Sequence, residues 1–300
     1  MAKSEVALMP KKKRMSFGKW ALALGWKHLV ALVLVAFALF PILYIFSTSL
    51  QNANGLASTQ LFNQFYWQNY VKIFQDPDRP YARWYWNTIY IALIASFLNV
   101  AVSSFAAFAF SRLRFRGRRA SLLALLLLQM FPSALGLVAV YNILSNLSRV
   151  FPDFQLGLNS HLGLILVYMG GSLGAGTYLM YGFFNTVPKE IDEAARIDGA
   201  THTVIFWTII MRLVAPILAV QMLLTFIGIS SDYLLPAIAL DGIELKTLAT
   251  GLQSFISDPY SKDWALFCAG SIMAAVPTVA LFLYLQRYIV SGLISGAVKG

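Results

Sequence analysis

The sequence predicts an all-α integral membrane protein, and three features carry this prediction. Of the 300 residues, 58% are hydrophobic and only 12% are charged, about half of the roughly 25% that soluble domains carry. Six apolar runs are long enough for a helix of about 20 residues to cross a bilayer. Basic residues cluster between these runs, which is typical of membrane topology and argues against nucleic-acid binding. The predicted spans are residues 27–50, 86–111, 120–145, 162–184, 213–238 and 264–289.

The distribution of Lys and Arg predicts the orientation. With the N-terminus inside, 17 of the 23 basic residues fall on the cytoplasmic side, in agreement with the positive-inside rule. The first apolar run, Leu29 to Phe46, exceeds the roughly 7 to 15 residues of a signal-peptide core, so we expect a retained helix. The predicted organisation is a basic cytoplasmic tail (1–26), a membrane domain (27–290) and a cytoplasmic C-terminal tail (291–300).

Prolines and glycines lie within several of the six predicted spans. Kinks are predicted in the first, third and sixth helices by Pro41, Pro132 and Pro277, because proline breaks the helical hydrogen-bond ladder. In the fourth span, Gly170 and Gly174 lie within GGSLGAG, and we interpret them as a close-packing pair. A phosphate loop is not predicted there, because no strand precedes the motif.

Asp232 is the one acidic residue within a predicted span. Acids inside a membrane are costly and are candidates for function. Pro236 follows four residues later, so Asp232 is expected near the outer surface. Two roles remain open: hydration or capping of a helix end, and lining of a cavity.

A short charged helix is predicted in the cytoplasmic loop between the fourth and fifth spans. Pro188 suits its first turn and Gly199 its end. Asp192 and Arg196 are four residues apart and are expected to pair. One face is formed by three small or apolar residues, Ile191, Ala194 and Ala195. Docking on another protein and a solvated connection both fit this pattern.

The loop sequence EAARIDGA, followed by IFWTII and a later proline, resembles the EAA loop of ABC importer permeases. The resemblance implies a coupling helix that sits in a cleft of a cytoplasmic ATPase subunit. One departure is visible, since Met211 and Arg212 replace the Leu-Pro pair of the family, although Pro216 matches the later proline. We expect coupling to survive and the chain to enter the fifth helix at a different angle. The positions carried over are Glu193, Ala194, Ala195, Asp198 and Gly199.

Further stretches resemble carbohydrate-type permeases, and over most of residues 29–300 the chain is similar to the second permease subunit of maltose/maltodextrin importers. These stretches are SGLISGAVKG, QMFPSALGLVAVYNIL, LGLNSHLG and YMGG. The resemblance implies that the C-terminal tail contacts the ATPase subunits through Gly292, Ser295, Gly296 and Lys299. It also implies that the outer loop 241–264 enters the cleft of an extracytoplasmic sugar-binding protein; an ordinary polar loop is the alternative. The residues expected near its tip are Gln253, Ser254, Asp258, Pro259 and Tyr260.

The resemblance implies translocation within an ATP-driven importer of maltose/maltodextrin-type oligosaccharides in a bacterial or archaeal plasma membrane. This chain would form half of the translocation pathway beside a second permease subunit. ATP and Mg would be held by the partner ATPases, and this chain is expected to bind no cofactor or metal. It is also expected not to be an enzyme, because no nucleophile and base cluster in the sequence. The alternatives are a permease for trehalose, another sugar or glycerol phosphate, a secondary transporter, and a structural membrane protein.

Overall fold

The computed structural model confirms the all-α class. It describes residues 18, 24–52, 60–154, 156–258 and 262–297, with only the backbone at 133, 172 and 289–297. In α9 the middle turns, Ile205–Ile210, are π-helical. The helices are α1 (Trp26–Ser49), α2 (Asn69–Lys72), α3 (Tyr81–Arg112), α4 (Arg118–Gln129), α5 (Ser133–Val150), α6 (His161–Gly170), α7 (Ala175–Phe184), α8 (Lys189–Ile197), α9 (His202–Leu213), α10 (Ala215–Ser231), α11 (Leu234–Ala239), α12 (Leu248–Gln253) and α13 (Trp264–Ala297).

Three of these helices, α1, α3 and α13, are long and apolar enough to cross a membrane. Three bent pairs of helices pass the same test of length and composition when each pair is taken as one span: α4 with α5 at 103°, α6 with α7 at 49°, and α9 with α10 at 76°. The described chain therefore has up to six spans, in the order that the sequence predicts. The fifth predicted span, 213–238, is divided, because the backbone is extended at Asp232 between α10 and α11.

The predicted kinks at proline differ in kind. Pro132 is the N-cap residue of α5, with an extended backbone, and stands at the 103° bend from α4. Pro41 and Pro277 lie inside α1 and α13, which continue through them. The sharp break occurs where the residue before a helix is extended, since its backbone then no longer continues the preceding helix.

Helix α3 lies at the centre of the bundle and packs against α6, α7 and α10. Its buried face is partly polar, and these side chains bond to neighbouring helices. The side chain of Gln221 donates from Nε2 to Oδ1 of Asn99 at 3.5 Å, and Asn99 Nδ2 donates to the carbonyl of Tyr168 at 3.4 Å. Polar bonds of this type join membrane helices, since an unpaired polar group is costly in lipid.

The glycine that allows close packing in the fourth span is Gly176. A Cβ atom there would lie 2.5 Å from Nε2 of Gln221 and 2.7 Å from Oγ of Ser103. The predicted pair is wrong at Gly170, where a Cβ would meet no described atom within 4 Å, whereas Gly174 does approach the side chain of Gln129 at 3.1 Å. The spacing rule located the glycine-rich segment but selected the wrong face, because α6 ends at Gly170 and the helix turns there.

The predicted outer loop after α11 is fastened to the first turns of α3. The indole Nε1 of Trp84 donates to the carbonyl of Ile243 at 2.6 Å, and Asn87 Nδ2 donates to the carbonyls of Glu244 and Lys246 at 2.8 and 2.9 Å. These bonds hold the loop through its backbone. On α12, Gly251 must be small, because a Cβ would lie 2.2 Å from the Trp84 ring.

Candidate functional site

The predicted loop helix is present as α8, and a glycine ends it. The N–H of Gly199 donates to the carbonyl of Arg196, and the N–H of Ala200 to that of Ala195, both at 2.9 Å. Gly199 has φ +84°. This is the Schellman arrangement, in which a left-handed residue satisfies the last carbonyls of a helix. The helix ends at Gly199 as the sequence predicts, whereas Pro188 is its N-cap residue, one position ahead of the first turn in which the sequence placed it.

A buried ion pair fastens α8 to the end of α3. Nε of Arg112 lies 2.5 Å from Oδ2 of Asp192, and the two side chains are 3% and 7% exposed. Arg112 also donates from Nη2 to the carbonyl of Val187 at 2.9 Å, just ahead of α8. Asp192 is the buried residue of α8, and Arg112 is the last residue of α3. The short helix is thus attached directly to the central helix of the bundle.

The predicted pairing of Asp192 with Arg196 is wrong. Nη2 of Arg196 lies 3.4 Å from Nδ1 of His202 instead, while Asp192 turns toward Arg112. The i, i+4 rule describes neighbours on an isolated helix surface, whereas Asp192 is on the face that packs on the bundle. Sequence reasoning missed Arg112 because its segment, RLRFRGRR, was interpreted through topology alone.

The residues of the EAA sequence divide between the two faces of α8. Glu193, Ala194, Asp198 and Gly199 are exposed, and Ala195 packs against the apolar cluster beneath the helix. The three-residue face predicted from the sequence is therefore wrong at Ala195.

The exposed face of α8 carries apolar side chains. Ile191 and Ala194 share it at i and i+3, and the acidic Asp198 follows at i+7. Ile197 is 87% exposed and was missed by sequence reasoning. Exposed isoleucine side chains on a short, mostly charged helix suit a contact with another protein.

A polar cleft of about 460 Å³ opens beside α8, between it and the chain that follows α3. Among the described residues, no three His, Cys, Asp or Glu side chains are grouped to hold a metal ion. Basic side chains outnumber acidic ones along the walls of the cleft. The lining residues are Ser111, Arg112, Leu113, Arg114, Arg118, Lys189, Asp192, Glu193, Arg196 and His202.

Arg212, which stands in place of the family's proline, is exposed near the bend between α9 and α10. The bend of 76° falls at Val214, and Pro216 lies in the first turn of α10. Since proline lacks an N–H and cannot continue a helix, Pro216 accounts for the break without a second proline. The expectation that Arg212 alters the angle at which the chain enters α10 stays a prediction.

Three of the five predicted outer-tip residues lie within the described chain. Gln253 and Asp258 are exposed, whereas Ser254 is half-buried and its Oγ donates to the carbonyl of Gly251 at 2.6 Å. Between them, Phe255 is buried against the Trp84 ring. Two predicted residues, Pro259 and Tyr260, lie outside the described residues.

The C-terminal prediction falls on the last turns of α13. The helix runs without interruption across residue 290 to Ala297, so the predicted tail begins within it. Lys299 lies outside the described residues. The backbone positions that belong to α13 are Gly292, Ser295 and Gly296.

Asp232 connects three elements at the end of α10. Its Oδ1 accepts from the N–H of Leu234 at 3.0 Å, in the first turn of α11, and its Oδ2 accepts from the hydroxyl of Tyr168 at 2.9 Å. This geometry is that of the capping role, one of the two left open by the sequence. The cavity-lining role stays a prediction.

Comparison with known proteins identifies a matching family and similar permease proteins. The family described as "Binding-protein-dependent transport system inner membrane component" matches residues 99–294. The maltodextrin transport system permease protein MdxG of Bacillus subtilis (strain 168) is 41% identical over 262 residues, covering 87% of this chain and 91% of that protein. The maltose/maltodextrin transport system permease protein MalG of Escherichia coli (strain K12) is 34% identical over 284 residues, covering 91% of this chain and 95% of that protein.

Solved structures show the same fold. A chain of a bacterial ABC transporter involved in the import of the acidic polysaccharide alginate superposes with a TM-score of 0.72 and 23% sequence identity. The superposition covers 92% of this chain and 99% of that chain. The match in fold therefore spans nearly the whole molecule, and the family match spans more than half of its sequence. The chain is a multi-pass membrane protein that belongs to the inner membrane components of binding-protein-dependent transport systems.

Proposed function

We propose that this chain is a permease subunit of an ATP-driven importer for maltose/maltodextrin-type oligosaccharides. The observation that carries the proposal is the attachment of an exposed EAA helix, α8, to the central helix α3 through Arg112 and Asp192. The sugar class is supported by the 41% identity to a relative named for maltodextrin transport. In this proposal both termini are cytoplasmic, and α8 lies on the cytoplasmic side.

The proposed mechanism is alternating access driven by partner subunits. An ATPase dimer binds ATP and Mg and contacts the exposed face of α8, with Glu193, Ala194 and Asp198 at the contact. Because the buried ion pair joins α8 to α3, displacement of α8 displaces the central helix with it. Rocking of the helix bundle against a second permease subunit would then open the pathway to one side of the membrane and close it to the other.

Purification of the tagged chain from its native membrane tests this assembly. We expect an ATPase and a second permease to co-purify in a stable complex, and the complex to hydrolyse ATP faster when a sugar-loaded binding protein is added. The same tag on an unrelated six-span membrane protein is the control. A chain that transports sugar in vesicles without any nucleotide-binding partner would contradict the proposal and favour a secondary transporter.

Gly199 allows the contact on α8 to be tested separately from the helix end. Its φ of +84° penalises β-branched residues, while no described atom lies within 4 Å of an added Cβ. We expect Gly199→Val to lose most ATP-driven uptake while the complex still assembles. Gly199→Asn is the matched variant, because asparagine tolerates the left-handed conformation.

The two variants separate backbone strain from steric exclusion at Gly199. Uptake retained in the Asn variant and lost in the Val variant assigns the effect to the helix end. Loss of uptake in both variants assigns the effect to the surface of contact with the ATPase, where only glycine would fit. Normal uptake with Val would count against any coupling role for Gly199.

For the outer loop we propose a contact between Gln253 and an extracytoplasmic sugar-binding protein. Gln253 is exposed beside the buried Phe255, so its side chain is accessible while its backbone is held by the core. Deletion of the tip would also remove Phe255, so a point substitution is the cleaner probe. We expect Gln253→Arg to reduce stimulation of ATP hydrolysis by the binding protein several-fold. Gln75→Arg, at another exposed position on the same predicted side, is the matched control, and equal stimulation in both variants would remove the proposed contact.

A further inference from the structure

The cleft beside α8 continues into a second opening around the loop that joins α3 and α4. Arg114 and Arg118 line both openings, so the two form one connected basic surface, which we call the basic cleft. The second opening also includes Arg119 and the exposed ring of Phe115. The basic cleft therefore extends from α8 to the first turn of α4.

The charges of the basic cleft are unbalanced. Its first opening is lined by five Arg or Lys side chains and two acidic ones. Of the acidic pair, Asp192 already faces Arg112. Hydrogen bonding within this pair is also incomplete, because Nη1 of the buried Arg112 and Oδ1 of Asp192 both lack a partner among the described residues. Phosphate oxygens are strong acceptors for guanidinium groups, and several arginines around one cleft form a typical phosphate site.

The position of the basic cleft at the start of α4 indicates which kind of anion it suits. Helix α4 begins at Arg118 and continues as the apolar sequence LLALLLL. Arg119, Leu123 and Leu127 follow each other at i, i+4 and i+8, and all three are exposed. One face of α4 thus presents a cation at its start and exposed leucines along its length. A phospholipid has this same arrangement, with a charged phosphate at one end of two apolar chains.

We propose that the basic cleft binds the phosphate of an anionic phospholipid, whose acyl chains lie along the exposed leucines of α4. Arg114 and Arg118 contact the phosphate, and Arg119 faces the headgroup from the membrane side. Basic surfaces beside membrane helices bind anionic headgroups by this combination of charge and apolar contact. The proposal of a lipid site depends on the membrane location of the family. Its assignment to the cytoplasmic leaflet depends on the orientation given in the proposed function.

Native mass spectrometry of the purified complex, titrated with lipid, tests the site. The probes are phosphatidylglycerol, phosphatidylcholine and inorganic phosphate at equal concentrations. We expect phosphatidylglycerol to bind at least tenfold more tightly than phosphatidylcholine, and Arg114→Gln with Arg118→Gln to remove about tenfold or more of that affinity, because the loss of even one charge-assisted bond is worth about this much. Arg116→Gln is the matched control, since Arg116 belongs to the same loop and lines neither opening.

Two results would overturn the proposal. Equal loss of phosphatidylglycerol from the Arg116→Gln control would show that general loop charge, and not the basic cleft, attracts the lipid. Inorganic phosphate that displaces phosphatidylglycerol at equal concentration would assign the cleft to a free anion. If the double variant does not assemble, Arg114→Gln alone serves, because Arg114 is exposed. The readout is lipid bound to the complex, so it remains informative even if the transported sugar is not a maltodextrin.

Discussion

Replacement of Asp192 by alanine should destabilise the protein by about 3–5 kcal/mol, because it leaves the Arg112 guanidinium charged, buried and without its carboxylate. Few exposed substitutions in this chain should approach that effect. Thermal unfolding of the purified complex in detergent measures it, as a lowered midpoint, and ATP-driven uptake measures its consequence. We expect uptake to fall further than the amount of assembled complex, since α8 would lose its ion pair with α3 and be attached there less firmly.

Glu190→Ala is the matched control, because Glu190 is an exposed acid in the same helix. A double variant, Arg112→Ala with Asp192→Ala, removes both charges and should be less destabilised than the two single effects added together. If Asp192→Ala and Glu190→Ala unfold at the same temperature, the buried pair is not a structural connection. Unchanged uptake in Asp192→Ala would remove it from the coupling mechanism.

Trp84→Ala is the second substitution with a large expected effect, also about 3–5 kcal/mol. The Trp84 side chain is fully buried, packs edge-on against Phe255 and donates to the carbonyl of Ile243. Its removal would leave a cavity and an unfastened loop at the end of the molecule opposite α8. Thermal unfolding measures the loss of stability, and the response of ATP hydrolysis to binding protein measures the loss of loop position.

The neighbouring Trp86 gives a control with the same change of side chain. It lies two residues further along α3 and is 65% exposed, so Trp86→Ala should shift the unfolding midpoint only slightly. Trp84→Phe keeps much of the buried ring but loses the bond to Ile243, and should fall between the two. A midpoint for Trp84→Ala equal to that of Trp86→Ala would contradict the role assigned to the buried indole.

Features encoded by neighbouring residues could be predicted from the sequence. The long apolar runs predicted α1 and α13, because crossing a bilayer needs only length and apolar composition. Gly199 predicted the end of α8, and Pro188 predicted its start to within one residue, since a proline at the first turn and a left-handed residue after the last turn are local requirements. The same local logic located the EAA sequence on a helix with an exposed face.

Features that depend on distant residues could not be predicted in this way. Arg112 and Asp192 are 80 positions apart, and only the packing of α8 against α3 brings them together. The need for glycine at Gly176 comes from the side chain of Gln221 on another helix. A proline in the sequence does not by itself predict the 103° bend at Pro132, because α13 continues through Pro277 without a break.

The polar face of α3 has a consequence for the way the protein is made. The most apolar stretch of α1 has a mean hydropathy of 2.9 and no buried residue, whereas that of α3 has 2.0 and is 56% buried. The partners of Asn99 lie 69 and 122 residues further along the chain. During synthesis, α1 can therefore enter the bilayer and remain there without packing partners. The side-chain amide of Asn99 in α3, by contrast, stays unpaired until α6 and α10 have been synthesised and inserted. The central helix of the finished protein is thus among the last to become stable in the membrane.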